Sequence, residues 1–394
     1  MADKTYGPNT QLIKSGIARS QFDETAEALY LTSGYVYKTA EQAEAAFNGT
    51  QDRYVYSRYG NPTVSALQDK MAALEGAERC LATGTGMAAI FAAMACQLDQ
   101  GDKVVASRAL FGACHAILTE ILPKWGIEVT LLDGRDITAW QAALQTPCKL
   151  VFLETPSNPT LQLVDLAKVC DLAHKAGARV VVDNVFATPV HQKPLSLGAD
   201  IVCYSATKHI DGQGRVMGGL ILGDAAFIDD ELMPFYRQTG ATMSPFNAWV
   251  LLKSLETLPL RVEAQSQSAM KIASFLADHE KIETVSYPGH KSHPQYALAQ
   301  SQMTGPGSLM AFEVKGGKTA AFAMLNALSL IDISNNLGDS KTLACHPAST
   351  THMNIGADER AILGINDGHI RLSVGLEDCE DLIADLRDSL AQLP

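Results

Sequence analysis

The sequence lacks the features of membrane-spanning and secreted proteins. Its longest apolar stretches, such as 87–96, fall far short of the roughly 18 residues that cross a bilayer. Residues 1–14 contain no apolar segment typical of a secretory signal. The eight cysteines form no Cys-x-x-Cys pair and mostly lie in apolar runs, which is typical of reduced, buried thiols. These absences predict a cytoplasmic protein with no membrane partner, no disulfide framework and no metal site.

The chain also lacks an excess of basic residues. Lysine and arginine together number 31 against 43 aspartate and glutamate residues, which gives a formal net charge of −12. Because non-specific nucleic-acid binding depends on excess positive charge, no nucleic-acid partner is expected. Charged residues make up 19% of the 394 residues and apolar residues 47%. This composition excludes disorder as the main state and predicts two or three folded domains.

Strand–helix alternation begins after an irregular N-terminal part. Residues 1–60 are predicted to form an arm that contacts a neighbouring subunit, with short helices over 22–29 and 39–47. Residues 61–255 are predicted to form an α/β domain around a mainly parallel sheet, because continuous apolar strands alternate with helices. Residues 256–394 are predicted to form a smaller α+β domain. The expected strands of the larger domain are 103–106, 128–132, 150–154, 179–183, 201–204 and 220–222.

Three polar side chains stand where predicted strands end. Glu154 and Asp183 each close an apolar strand, and Ser205 follows the next one. In parallel sheets, ligands bind at the carboxyl ends of the strands. The sequence therefore predicts a binding site at this edge.

A glycine-rich turn precedes a predicted helix. The residues Gly84-Thr85-Gly86-Met87-Ala88-Ala89 match the G-x-G-x-x-A pattern of nicotinamide dinucleotide sites, and Asp102 supplies an acid 18 residues on. The stretch 75–82 is mixed and charged, and no apolar strand is expected there, which argues against a dinucleotide site. Free N–H groups at a helix start suit a phosphate. Tight helix packing remains the alternative.

Lys208 follows the small hydroxyl residues Ser205 and Thr207 in a glycine-rich segment. Burial lowers the pKa of a lysine, which suits an amine that reacts with an aldehyde. Asp183 ends the apolar strand 179–183, which comes before the strand that leads to Lys208. Both side chains can therefore reach one cleft. Pyridoxal 5′-phosphate (PLP) needs these two partners, a lysine for its aldehyde and an acid for its ring nitrogen. A solvated lysine and a loop-capping aspartate remain the alternatives at this point.

Several ordered blocks together resemble the cystathionine γ-synthase-like family of PLP-dependent enzymes. The resemblance extends from about residue 30 to the C-terminus and implies the aspartate-aminotransferase type of fold (fold type I), with 61–255 as the PLP-binding domain. The blocks that carry it are YSRYGNPT (56–63), GTGMAAI (84–90), ETPSNP (154–159), VDN (182–184), SATK (205–208), HPAS (346–349) and IRLSVG (370–375).

The resemblance assigns a role to each residue of these blocks. Lys208 would hold the cofactor aldehyde and move protons, Asp183 would pair with the ring nitrogen, Asn158 would lie by the ring hydroxyl and Phe111 would stack on the ring. The phosphate would be held by Gly86, Met87, Ser205 and Thr207, and by Tyr56 and Arg58 of a neighbouring subunit in a homotetramer. Arg371 would clamp the substrate carboxylate, with Asn336 and Tyr56 as further substrate-binding residues.

Two departures from the family pattern narrow the expected reaction. Phe111 stands where many members have a tyrosine, which weakens a lyase assignment. Asn336 and Lys341 stand where synthases and lyases for cystathionine usually show serine and glutamate. The residues Asn336 and Lys341 resemble those of the homoserine-ester sulfhydrylases. The compact chain and the segment 205–219 resemble the O-succinylhomoserine sulfhydrylase branch, which implies that O-succinylhomoserine and sulfide give homocysteine and succinate. The alternatives are cystathionine γ-synthase, a methionine or cystathionine γ-lyase, a non-catalytic pyridoxal carrier and a nicotinamide-dependent oxidoreductase.

Overall fold

The computed structural model describes residues 6–393, so residues 1–5 of the predicted arm and Pro394 lie outside it. Within the described part, a seven-stranded sheet has the order β1-β7-β6-β5-β4-β2-β3. Strand β7 is antiparallel to both of its neighbours, and the other pairs are parallel, which confirms the mainly parallel sheet. The strands are Arg79–Thr83 (β1), Lys103–Ser107 (β2), Glu128–Leu132 (β3), Leu150–Glu154 (β4), Arg179–Asp183 (β5), Ile201–Ser205 (β6) and Gly219–Gly223 (β7).

Both faces of this sheet are buried. Alternate residues of one strand point to opposite faces, and in β4 Phe152 packs into one apolar cluster while Val151 and Leu153 pack into another. This is why the strands are continuously apolar. The helices up to residue 255 are Pro8–Lys14 (α1), Ala40–Phe47 (α2), Pro62–Glu75 (α3), Gly86–Ala95 (α4), Gly112–Ala116 (α5), Ile137–Ala143 (α6), Leu166–Lys175 (α7), Thr188–His191 (α8), Met233–Thr239 (α9) and Pro245–Leu255 (α10).

A second sheet follows in the chain. Its order is β10-β11-β12-β9-β8, and its strands are Ile282–Ser286 (β8), Leu309–Val314 (β9), Asp332–Ile333 (β10), Leu343–Cys345 (β11) and His369–Ser373 (β12). The helices of this part are Leu258–Ala277 (α11), Tyr296–Gln302 (α12), Gly317–Ala327 (α13), Ala357–Leu363 (α14) and Cys379–Ala391 (α15).

Helix α11 contributes to both cores. Leu258 and Val262 in its first half pack with residues of the seven-stranded sheet, whereas Ile272 and Leu276 pack with residues of the five-stranded sheet. The two sheets are therefore tied by one continuous helix, and the domain division at residue 255 stays a prediction. Within residues 6–393, the helices fall short of the length and apolarity that a bilayer crossing requires.

The expectation of a helix over 22–29 is wrong. The main chain there is irregular, and the end of the segment, with the adjoining Tyr30, forms hydrogen bonds to α3. The Ala28 carbonyl accepts from Thr63 Oγ1, the Tyr30 carbonyl accepts from Asn61 Nδ2, and the Tyr30 N–H donates to Thr63 Oγ1. Side chains at the start of α3 thus take the place of helical partners.

The expectation that no strand precedes the glycine turn is also wrong. Residues 79–83 form β1, an edge strand whose last four residues are buried. The charged residues Glu75, Glu78 and Arg79 interrupt the continuous apolar pattern by which a buried strand is recognised in the sequence. Because β1 pairs only with β7, and antiparallel, the parallel β-α-β unit of a dinucleotide site is still missing here.

A buried charge cluster fixes the arm to the body of the protein. The Lys70 ammonium of α3 is fully buried and lies 3.2 Å from the Glu27 carboxylate, which also accepts from Lys253 of α10 at 2.9 Å. The Glu27 carbonyl accepts from the indole N–H of Trp249. Glu27 is thus the nearer of two anionic partners that make burial of the Lys70 charge tolerable, the other being Glu256 at 3.6 Å.

We expect Glu27→Gln to destabilise the fold by about 3 kcal/mol, because it leaves the Lys70 charge buried with weaker compensation. The midpoint of denaturant unfolding measures this loss. Glu44→Gln is the matched control, since Glu44 lies in the same arm but is solvent-exposed, and its substitution should shift the midpoint much less. Equal midpoints for Glu27→Gln and the wild type would contradict the role of the cluster.

Candidate active site

A cavity of about 310 Å³ lies at the carboxyl ends of β4, β5 and β6. Glu154, Asp183 and Ser205 are the last residues of these strands and all line it, as the sequence predicts. The cavity is closed from the other side by residues of the second sheet and its loops. Further predicted site residues on its wall are Gly86, Met87, Phe111, Asn158, Thr207, Lys208 and Arg371.

Asp183 and Glu154 stand side by side because β4 and β5 pair in parallel register with these two residues as partners. Burial raises the pKa of the Asp183 carboxyl to about 7, against one hydrogen bond from the Val185 N–H that lowers it. Burial and the nearby Asp183 charge also raise the pKa of Glu154. Two adjacent buried carboxylates favour a cationic group in the cavity.

Lys208 lies on the wall of the cavity. Its Nζ donates a hydrogen bond to Asn336 Oδ1 at 2.5 Å. Burial lowers the pKa of the Lys208 ammonium to about 8, and the Arg371 charge lowers it further in the same direction. An appreciable fraction of the amine is therefore unprotonated near neutral pH, which is the reactive form toward an aldehyde.

The glycine turn forms a narrow cradle at the start of α4. The Thr85 hydroxyl caps the helix by accepting from the Ala88 N–H at 3.0 Å, and the first N–H groups of a helix have no partner within it. A side chain at Gly86 would place its Cβ only 2.6 Å from the Cβ of Ser205. Gly86 is therefore required for the close approach that brings these N–H groups and the Ser205 hydroxyl together.

Arg371 crosses from β12 into the cavity and is only 2% exposed. One of its terminal nitrogens donates to Asn158 Oδ1 at 3.0 Å, and the other donates to the carbonyls of Asn335 and Asn336 at 2.9 and 3.1 Å. Its buried Nε has no hydrogen-bond partner among the described residues. A guanidinium held in this way retains a donor for an anionic group such as a carboxylate.

The cavity residues fit PLP. The cofactor carries a phosphate, an aldehyde and a basic ring nitrogen, and the cavity offers a helix start with two hydroxyls, a lysine with a lowered pKa and a buried acid pair. Phe111 adds an aromatic face. The orphaned nitrogen of Arg371 leaves an anion-binding group for a substrate.

Tyr56 and Arg58 do not line this cavity. The Tyr56 side chain is 43% exposed. The Arg58 guanidinium bonds to the Arg237 carbonyl and lies 4.8 Å from the ring centroid of Tyr59. A single chain therefore does not bring these two residues to the site, and their role in a neighbouring subunit's cavity stays a prediction.

Glu154 is a site residue that the sequence indicated only as a strand-end acid. Its two oxygens accept from the backbone N–H groups of Phe111 and Asn158, each at 2.8 Å. Other cavity residues that the sequence did not single out are Ile90, Val185, Phe186, Asn335, Leu337 and Thr351. Four of them are apolar, and all except Ile90 of α4 come from loops, so no charge pattern assigns them to the site.

Comparison with known proteins agrees with this geometry. The family model described as Cys/Met metabolism PLP-dependent enzyme matches residues 9–391. An O-succinylhomoserine sulfhydrylase of Mycobacterium tuberculosis is 53% identical over 383 residues, covering 96% of this chain and 94% of the relative. An L-methionine gamma-lyase of Porphyromonas gingivalis is 44% identical, covering 98% and 97% of the two chains.

A solved structure has the same fold over nearly the whole chain. The cystathionine gamma synthase of Xanthomonas oryzae pv. oryzae, in complex with aminoacrylate and cysteine, superposes with a TM-score of 0.94. It is 35% identical, and the match covers 99% of each chain. This similarity confirms the expected fold type I.

We expect the rate at which the cofactor-free protein captures PLP to rise with pH, with a midpoint near pH 8. Protonated Lys208 predominates below its pKa of about 8 and cannot attack the aldehyde, whereas the free amine predominates above it. Stopped-flow absorbance between pH 6 and 9.5 measures the profile. The matched control, Lys253→Ala, removes an amine outside the cavity and should leave the midpoint unchanged.

A midpoint near pH 10, where a solvated lysine titrates, would contradict the lowering of the Lys208 pKa by burial.

Proposed function

The chain belongs to the Cys/Met metabolism PLP-dependent enzyme family, and from that premise we propose that it converts O-succinylhomoserine and sulfide to homocysteine and succinate. The observation that carries this proposal is the wall of the cavity around Lys208. A lysine with a lowered pKa faces Asn336, while the aromatic wall is Phe111, which has no acidic hydrogen. The high identity to an O-succinylhomoserine sulfhydrylase supports the choice of substrate.

Arg371 is proposed to hold the α-carboxylate of the substrate. Its guanidinium is oriented by Asn158 and by the backbone of 335–336, so little side-chain freedom is lost when a carboxylate binds. A planar guanidinium presents parallel donors that match the two oxygens of a carboxylate. This fixes the substrate's α-carbon at a defined side of the cavity.

Lys208 is proposed to move the protons. When bound, PLP supplies an electron sink for charge that develops at the substrate carbons, and Asp183 keeps the ring nitrogen protonated. The Lys208 amine can take the α-proton and return it because its pKa is lowered toward the working pH. The same amine can take a second proton from the β-carbon as succinate leaves the γ-carbon. Hydrosulfide then adds at the γ-carbon, and return of protons to the β- and α-carbons completes homocysteine.

We further propose that the enzyme is a cytoplasmic homotetramer in which Tyr56 and Arg58 reach a neighbouring subunit's cofactor phosphate. Both residues lie outside the cavity of their own chain. The segment before them exposes large apolar side chains, and Phe22, Leu31, Val36 and Phe47 are all exposed. An exposed apolar surface of this kind is typical of a subunit contact.

Purified enzyme should release succinate from O-succinylhomoserine in the presence of sulfide, with kcat/KM at least tenfold higher than with cysteine as the thiol or with O-acetylhomoserine as the ester. Coupled detection of homocysteine and cystathionine measures the products. Lys208→Ala is the control and should abolish turnover. Predominant cystathionine formation would assign the enzyme to the synthases instead.

A methionine γ-lyase is the second candidate, because L-methionine gamma-lyases are among the relatives. Phe111 argues against it, since a phenylalanine can stack on the ring but cannot pass a proton to a leaving thiol. We expect Phe111→Tyr to raise α-ketobutyrate release from methionine by about 100-fold, the low end of a general acid's contribution. Phe111→Leu, which also lacks a hydroxyl, should not raise it. Efficient release by the wild type would favour the lyase.

A further inference from the structure

Glu154 connects the two residues that are expected to contact the cofactor ring. Its Oε2 accepts from the Phe111 N–H and its Oε1 accepts from the Asn158 N–H, each at 2.8 Å. Phe111 lies 43 residues before Glu154 in the chain, at the start of α5, whereas Asn158 lies four residues after it. One carboxylate therefore fixes two separate loops at the carboxyl end of β4.

Glu154 also influences the position of Arg371, the residue proposed to bind the substrate carboxylate. The Asn158 side chain accepts from Arg371 at 3.0 Å, so the position of the Asn158 backbone also sets the position of the guanidinium. Both oxygens of Glu154 are used by these backbone donors, and the side chain is buried. The two N–H donors lower the pKa of Glu154 against its burial and the nearby Asp183 charge, and a carboxylate that both donors hold is a strong and rigid anchor.

We propose that Glu154 is a positioning residue that holds the Phe111 ring and the Asn158–Arg371 pair in register around the cofactor. It acts through these residues rather than on the reacting atoms. The neutral amide of glutamine has the same shape but only one accepting oxygen, so it can bond only one of the two N–H groups. Its NH₂ group would instead face the other donor. This inference depends on the proposed function only for the identity of the substrate.

The structure offers a matched control for the loss of a buried carboxylate. Asp385 of α15 accepts from the backbone N–H groups of Ser329, Leu330 and Ile331. These three residues lie in the loop between α13 and β10. Asp385→Asn thus disturbs a comparable set of backbone hydrogen bonds away from the cavity. A merely structural effect on the fold should appear in both variants.

We expect Glu154→Gln to weaken PLP binding by about 10- to 100-fold, the loss associated with a charged hydrogen bond. We also expect it to reduce the visible-range circular dichroism of the bound cofactor, which reports how asymmetrically the ring is held. The kcat should fall and the KM for O-succinylhomoserine should rise. Asp385→Asn should lower the unfolding midpoint and leave the cofactor affinity and dichroism unchanged.

Wild-type cofactor affinity and dichroism in Glu154→Gln would overturn the proposal, as would equal spectral changes in Asp385→Asn. If Glu154→Gln does not fold, hydrogen exchange of the wild-type protein without cofactor decides the question. Slow exchange at the Phe111 and Asn158 amides supports the anchor, and fast exchange at both overturns it. The spectral and exchange measurements need no substrate, so they stand even if the wild type does not use O-succinylhomoserine.

Discussion

The parallel pairing of β4 with β5 is the constraint on which the site depends. It places the Glu154 and Asp183 carboxyls next to each other at the same level of the sheet, away from water. Two negative charges at that spacing are unfavourable unless donors and cations surround them. The backbone N–H groups of Phe111, Asn158 and Val185 supply the donors. Arg371 supplies a positive charge that lowers the pKa of Glu154.

The site is a joint product of the two sheets. The acids and Lys208 follow strands of the seven-stranded sheet, whereas Arg371 belongs to β12 of the five-stranded sheet. The hydrogen bond from Arg371 to Asn158 crosses between them. Because α11 packs in both cores, the two parts have a fixed relation, and the distance from the cation to the lysine depends on that packing.

The sequence predicted the parts of the structure that a single local pattern controls. Continuous apolar runs that end in polar residues located β4, β5 and β6 and the edge where the cavity lies. The pattern failed where long-range contacts decide the structure. Edge strand β1 is short and follows charged residues, so it is not recognised, and the segment 22–29 bonds to α3 instead of forming a helix. The dual anchoring by Glu154 could not be predicted, because it joins residues 43 positions apart. The positions of Tyr56 and Arg58 relative to another subunit lie beyond what one chain determines.

Asn336 joins two cations of the cavity wall, Lys208 and Arg371. Its side-chain oxygen accepts from Lys208, and its main-chain carbonyl accepts from Arg371. Only a few covalent bonds separate these two oxygens, so they cannot move independently by more than the rotation of one side chain. A change in the position of the Asn336 peptide therefore alters the hydrogen-bond geometry of Arg371 and, through the side chain, that of Lys208. The two cations of the cavity are coupled through one residue.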